Sequence, residues 1–164
     1  MNQNYHTEIE FQQLTPKGQE VCGDIFLSRR VKEEGRTVLV LSDGVGHGIK
    51  ASVLATLTAT MALNYSSFHT KPEIAAQIIM DALPSSGETP NYATFTMIEI
   101  ESNGLIRTIN YDNPPVIILR GNQRFIPQKI YETPVRGEEN QGKMLRCMEF
   151  YALKEDRIIF LSDG

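Results

Sequence analysis

Tryptophan is absent from the 164-residue chain, and cysteine occurs only twice. The missing tryptophan excludes nothing. Two cysteines, Cys22 and Cys147, are too few for a disulfide framework or a cysteine-built zinc site. They suit a reducing cytoplasm, as buried or bystander thiols. No run of about 18 apolar residues occurs, so no segment reads as a membrane-spanning helix. The N-terminus, Met1-Asn2-Gln3-Asn4-Tyr5-His6, has neither the basic nor the apolar region of a signal peptide. Positive charge is also in short supply. Lys and Arg number 16 against 20 Asp and Glu, for a net charge of −4 and a pI near 5.4. That balance argues against nucleic acid or an anionic membrane as partner, because phosphate-rich surfaces want a basic face.

What is present fits one globular domain over residues 1–164: 41% hydrophobic and 22% charged residues, with length enough to bury a core. The chain is organised around a phrase that occurs twice. Residues 38–44 read V-L-V-L-S-D-G and residues 158–164 read I-I-F-L-S-D-G. Each is a short run rich in β-branched residues and leucine, the pattern of a buried strand, ended by Ser-Asp-Gly. Set side by side, two such strands aim Asp43 and Asp163 into one mouth. Carboxylates aimed together repel unless a cation joins them, which points to a hard metal ion. Asp-Gly after a strand is also ordinary turn chemistry, so an α+β domain whose acidic strand ends are only turns stays open as a bland reading.

In chain order, residues 7–14 alternate as an amphipathic first strand, and 21–31 read as a second strand with Gly23-Asp24 inside it. Glycine and aspartate are both poor in strand interiors, so that pair marks either a site or a bulge. Residues 36–42 form the strand of the first repeat. Gly44-Val45-Gly46-His47-Gly48 then opens a helix from Ile49 to about Phe68, with Val53, Leu54, Leu57, Met61 and Leu63 as its apolar face. Neither a phosphate-binding P-loop nor a dinucleotide fingerprint fits this loop, because Ile49 stands where each needs glycine. The glycines instead read as a turn that lets backbone crowd a small ligand at a helix N-terminus. Thr70-Lys71-Pro72-Glu73 has the form of a capping box for a second helix over 71–83, with Ile74, Ile78 and Leu83 buried and Pro84 as its stop. Strands follow at 92–101, 105–111, 115–120, 123–127, 149–153 and 157–162. Residues 128–146 lack a period and read as a loop with room for one short strand. Strands, two helices, then antiparallel strands is an α+β order, with the helices on one sheet face.

C-G-D-I-F at 22–26, S-D-G-V-G-H-G-I-K-A-S at 42–52, N-P-P at 113–115 and F-L-S-D-G at 160–164 together resemble the metal-dependent protein phosphatases of the 2C type. They resemble most closely the bacterial branch of the stage II sporulation protein E phosphatase and the stress-response regulators. The resemblance implies an antiparallel β-sandwich flanked by helices. It implies two Mn²⁺ or Mg²⁺ ions, with Asp24, Asp43, Asp163 and the Gly44 carbonyl as metal ligands and Asp24 and Asp43 as catalytic positions. Hydrolysis of a serine or threonine phosphomonoester by a metal-bridged water is the implied reaction, on a phosphorylated regulatory protein such as an anti-sigma-factor antagonist. The sequence is silent on oligomeric state, with a homodimer among the options. His47 is evenly balanced between helix-start packing and a site role. Lys50 reads as a solvated or capping residue, and Asn113 as a shaper of the Pro-Pro turn. Two departures stand out. The family continues past the second S-D-G with helices and a further strand, so the domain is expected to be incomplete at its C-terminus. Asp112 also stands where relatives often have histidine. A catalytically silent fragment that serves as a binding or oligomerisation module is the competing reading.

Overall fold

The structure is a computed structural model that describes residues 5–15, 17–18, 21–46, 48–66, 71–82 and 93–163. The described residues form nine strands and two α-helices. In chain order these are β1 (Asp24–Val31), β2 (Arg36–Gly44), α1 (Ile49–Ser66), α2 (Pro72–Ala82), β3 (Ala93–Glu101), β4 (Leu105–Tyr111), β5 (Ile117–Arg120), β6 (Gln123–Phe125), β7 (Lys129–Pro134), β8 (Met144–Tyr151) and β9 (Arg157–Ile159). Six strands make one sheet in the order β1-β2-β3-β4-β8-β7, and β6-β5-β9 make a second. Every pairing is antiparallel.

Strand alternation divides the core into two layers. One face of the large sheet presents Val38, Val40, Phe95, Met97, Ile109 and Cys147 to the helices, with Ala59, Ala62, Ala76 and Ile79 packed against them. The other face presents Leu39, Ile98, Ile106 and Phe150 to Val116 and Ile118 of the small-sheet side. The order is therefore helices, six-stranded sheet, three-stranded sheet. This is the antiparallel α+β sandwich that the sequence implies. Among the described residues, no helix is long and apolar enough to cross a membrane.

Several local expectations are corrected. Residues 5–15 carry no strand; Phe11 and Leu14 are exposed, although the Phe11 ring packs 5.1 Å from that of Phe26. Helix α1 buries Ala51, Ala55, Thr58, Ala59, Ala62, Leu63 and Ser66, while Val53 and Leu57 face out. Small side chains let the helix lie close on the sheet, so proximity decides its buried face rather than residue size. In α2 the inward residues are Pro72, Ala75, Ala76, Ile79 and Met80, and Ile74 is exposed. Glu73 accepts a hydrogen bond from the Tyr131 hydroxyl. Thr70, Leu83 and Pro84 lie outside the described residues. The stretch 128–146 holds a full strand, β7, paired along β8 from Lys129–Glu149 to Pro134–Met144. The two cysteines are free and buried, and burial pushes the Cys147 thiol up to about 12, which keeps it unreactive.

Candidate metal centre

Asp24 and Asp43 are cross-strand partners at the joined ends of β1 and β2. Gly23 and Asp24 therefore open the strand rather than bulge from its middle. Asp24 shares its strand face with Phe26, and Asp43 shares its own with Leu39; both of those side chains pack in the layer between the sheets. The two carboxylates thus stand at the mouth of that layer. Asp163 comes to the same mouth from the other sheet. The repeated phrases are not neighbouring strands of one sheet. Their strands β2 and β9 belong to facing sheets, and β9 is only three residues long. The chain runs on past Ile159 without strand pairing, and its Ser162 hydroxyl donates to Asp24 Oδ2 at 2.9 Å.

The electrostatics of this mouth are one-sided. Burial pushes the Asp43 carboxyl up, and Asp24 and then Asp163 beside it push further, to about 7 from an ordinary 3.8. Both of these neighbouring charges, Asp24 and Asp163, are negative. Each carboxylate makes its neighbour harder to ionise, and an opposite charge between them would reverse that. Among the described residues, no three His, Cys, Asp or Glu side chains are grouped to hold a metal ion as they stand. The donors nevertheless fit a hard divalent cation: they are carboxylates with backbone carbonyls nearby, without thiol or imidazole. The structure brings Asp24, Asp43 and Asp163 to one place without drawing them into a finished cage.

The glycines of the loop have a different use from the one expected. A Cβ on Gly44 would lie 1.9 Å from the Ala51 carbonyl oxygen, so glycine here lets α1 press on the end of β2. A Cβ on Gly23 would meet the Ala51 methyl at 3.5 Å. The crowding is by the helix, not by a ligand. Gly46 and Gly48 take positive φ, +94° and +77°, and turn the chain into the helix. Lys50 is exposed in the first turn of α1. His47 lies outside the described residues.

Sequence reasoning missed the residues that brace the mouth. Gln13 Nε2 donates to the Asp24 carbonyl at 2.6 Å, and the Cys22 thiol points to the Leu14 carbonyl at 3.6 Å. Ser42 Oγ donates to the Thr94 carbonyl at 2.9 Å, directly across from the Asp43 register. The amide of Asn113, expected to shape its own turn, reaches instead to Thr94 and Thr96 of β3. The turn is held by Asn110, which accepts from the Asn113 N–H and donates to the Pro114 carbonyl. Two asparagines three residues apart just before a Pro-Pro pair could have flagged this corner; its reach to β3 could not be read without the register.

The layered antiparallel sandwich is the fold of 2C-type phosphatase domains. The chain belongs to the Stage II sporulation protein E (SpoIIE) family, whose model matches residues 33–164. Among solved structures, a chain from work on the bacterial stressosome is 25% identical, with a TM-score of 0.69, covering 90% of this chain and 71% of its own. RsbX in complex with magnesium is 19% identical with a TM-score of 0.72, covering 93% of this chain and 71% of its own. The PP2C phosphatase domain of SpoIIE from Bacillus subtilis, with a fragment of its regulatory domain, is 22% identical with a TM-score of 0.73. It covers 90% of this chain and 42% of its own. The latter two likenesses bear on fold alone. No curated protein matches the chain.

Proposed function

We propose that this chain is a metal-dependent phosphoprotein phosphatase domain that hydrolyses serine or threonine phosphomonoesters. The observation that carries the reading is the meeting of Asp24, Asp43 and Asp163 from three segments, with Asp43 pushed up to about 7 by burial and by its two acidic neighbours. Asp24, Asp43, Asp163 and the Gly44 carbonyl are the proposed ligands of two Mn²⁺ or Mg²⁺ ions. Bound there, such ions would supply activation of water and neutralisation of phosphoryl charge. The chain's own part is to fix the carboxylates. Paired strands set the Asp24–Asp43 spacing, and Ser162 holds one oxygen of Asp24 by a hydrogen bond.

The proposed substrate is a phosphorylated bacterial regulatory protein, with an anti-sigma-factor antagonist as the first to test. Membership of the SpoIIE family and the likeness to a chain from the bacterial stressosome support that choice. The alternative is a silent binding module, which the loose grouping of the three aspartates favours. Hydrolysis of p-nitrophenyl phosphate with and without Mn²⁺ separates the two. Turnover that needs Mn²⁺ and disappears in Asp43→Ala supports the enzyme; equal rates for both chains at every Mn²⁺ concentration remove it.

A further inference from the structure

A buried hydrogen-bonded relay joins the Asn-Pro-Pro corner to the strand end that carries Asp43. Asn113 is 7% exposed, and both ends of its amide are used on β3. Its Oδ1 accepts from Thr94 Oγ1 at 2.5 Å, and its Nδ2 donates to Thr96 Oγ1 at 3.1 Å. Thr94 and Thr96 are two residues apart on a strand, so they share one face, and a single amide spans them. Thr94 is the cross-strand partner of Asp43, which puts the amide on the same face as the Asp43 carboxylate.

Thr94 meets β2 in two ways. Its carbonyl accepts from Ser42 Oγ at 2.9 Å, and its hydroxyl oxygen lies 3.5 Å from the Asp43 carbonyl. A hydroxyl has one proton to give. The distances of 2.5 and 3.5 Å assign it to Asn113, so the amide decides how Thr94 is turned beneath Asp43. Asn113 is itself held. Its N–H donates to Asn110 Oδ1 at 3.2 Å, Asn110 Nδ2 donates to the Pro114 carbonyl at 2.9 Å, and Asp112 takes a φ of +58° to make the corner. The Asn110 contacts hold the turn itself. The reach of Asn113 into β3 needs another reason.

We propose that Asn113 is a positioning residue. Through Thr94 it fixes the end of β2, so the divalent-cation affinity of the aspartate mouth depends on an amide that bonds to none of the three carboxylates among the described contacts. This rests on the reading that Asp24, Asp43 and Asp163 hold a cation.

The test is calorimetric titration of the whole chain with MnCl₂, well below its melting temperature. The chains compared are wild type, Asp43→Ala, Asn113→Ala, Thr94→Val and Thr94→Ser, each with a melting curve. Asn113→Ala and Thr94→Val are each expected to weaken Mn²⁺ binding about tenfold, the usual effect of losing an outer-shell partner. Thr94→Ser, which keeps the hydroxyl, restores wild-type affinity. If Asn113→Ala does not fold, Thr94→Val, which preserves shape, decides. Folded variants that melt lower yet bind Mn²⁺ as wild type does would overturn the proposal and leave Asn113 a purely structural residue. Wild type that binds no Mn²⁺, or Asp43→Ala that binds as well as wild type, overturns the cation reading itself and the inference with it.

Discussion

Strand β2 carries charge differently at its two ends. At its start, Arg36 is buried and bonds Glu34 at 2.7 Å, Glu99 at 3.2 Å and the Ser66 carbonyl. From Glu99 the pairing register continues as a cross-strand row of alternating sign: Glu99, Arg107, Glu149 and Lys129 on β3, β4, β8 and β7. Arg107 bonds Glu149 at 3.2 Å, and Lys129 bonds it at 2.8 Å. Burial pushes Glu99 up, but Arg36 and Arg107 pull it back. At the far end of the same strand, Asp43 faces Asp24 and Asp163, and both push its carboxyl up. Like charges at one sheet end and matched charges at the other separate a site from a scaffold. A carboxylate row with its own cations needs nothing more, whereas one without them is poised for a cation from solution.

The largest test of this contrast is removal of Asp43. Asp43→Asn is expected to lower Mn²⁺-dependent phosphate hydrolysis on the order of a thousandfold, in line with loss of a principal transition-state electrostatic group. Its metal-free melting temperature is expected to equal or exceed that of wild type, because a repelling charge has gone. A marked fall in melting temperature would show that Asp43 is a structural carboxylate and dissolve the contrast. Arg36→Ala should do the reverse. It leaves Glu99 buried without its partner and the Ser66 carbonyl without a donor. We expect a loss of about 3 kcal/mol in urea unfolding, at the low end for a broken buried pair because Glu99 can take up a proton. The activity of the folded fraction should be unchanged. Mn²⁺ at about a hundred times its dissociation constant should stabilise wild type by about 2.7 kcal/mol and leave Asp43→Asn unmoved.

The contrast was half legible in the sequence. The repeated Ser-Asp-Gly and the Gly-Asp at 23–24 mark the acidic mouth, because aspartate and glycine at a strand end are locally conspicuous. They also suggest strands side by side, whereas the structure brings them together across two sheets. The matched row is invisible in sequence: Glu99, Arg107, Glu149 and Lys129 become neighbours only once four strands are in register. Strand β7 escapes for a related reason. It is an edge strand with an almost wholly exposed K-I-Y-E-T-P, so no apolar alternation announces it, and pairing with β8 supplies what the pattern lacks. Helix α1 misleads in the opposite sense. Its large residues suggest one face, yet apart from Leu63 the buried stripe is alanine, threonine and serine, because Gly44 and Ala51 bring helix and strand into direct contact. Size-based patterning fails where close approach decides packing.

The smallest test lies at the outer end of the matched row. The Lys129–Glu149 pair is 2.8 Å long, with the lysine side chain 58% exposed, so Lys129→Ala should cost only about 0.5 kcal/mol at neutral pH. Its pH dependence is more telling than its size. Lys129 first of all, and Arg107 against the opposing effect of burial, hold Glu149 below its ordinary 4.5. A carboxylate depressed in the folded state adds stability above its unfolded pKa and loses it as pH falls through the folded one. The gap between wild type and Lys129→Ala in urea unfolding should therefore be full at pH 7 and shrink as pH falls below the ordinary carboxyl range, through the lowered folded pKa of Glu149. A gap of unchanged size once Glu149 is protonated would mean that the lysine acts through the Tyr131 ring, whose centroid lies 5.9 Å from the ammonium, and not through its pair with Glu149. In that case the alternating row would be packing that happens to be charged, and the difference between the two ends of β2 would rest on Arg36 alone.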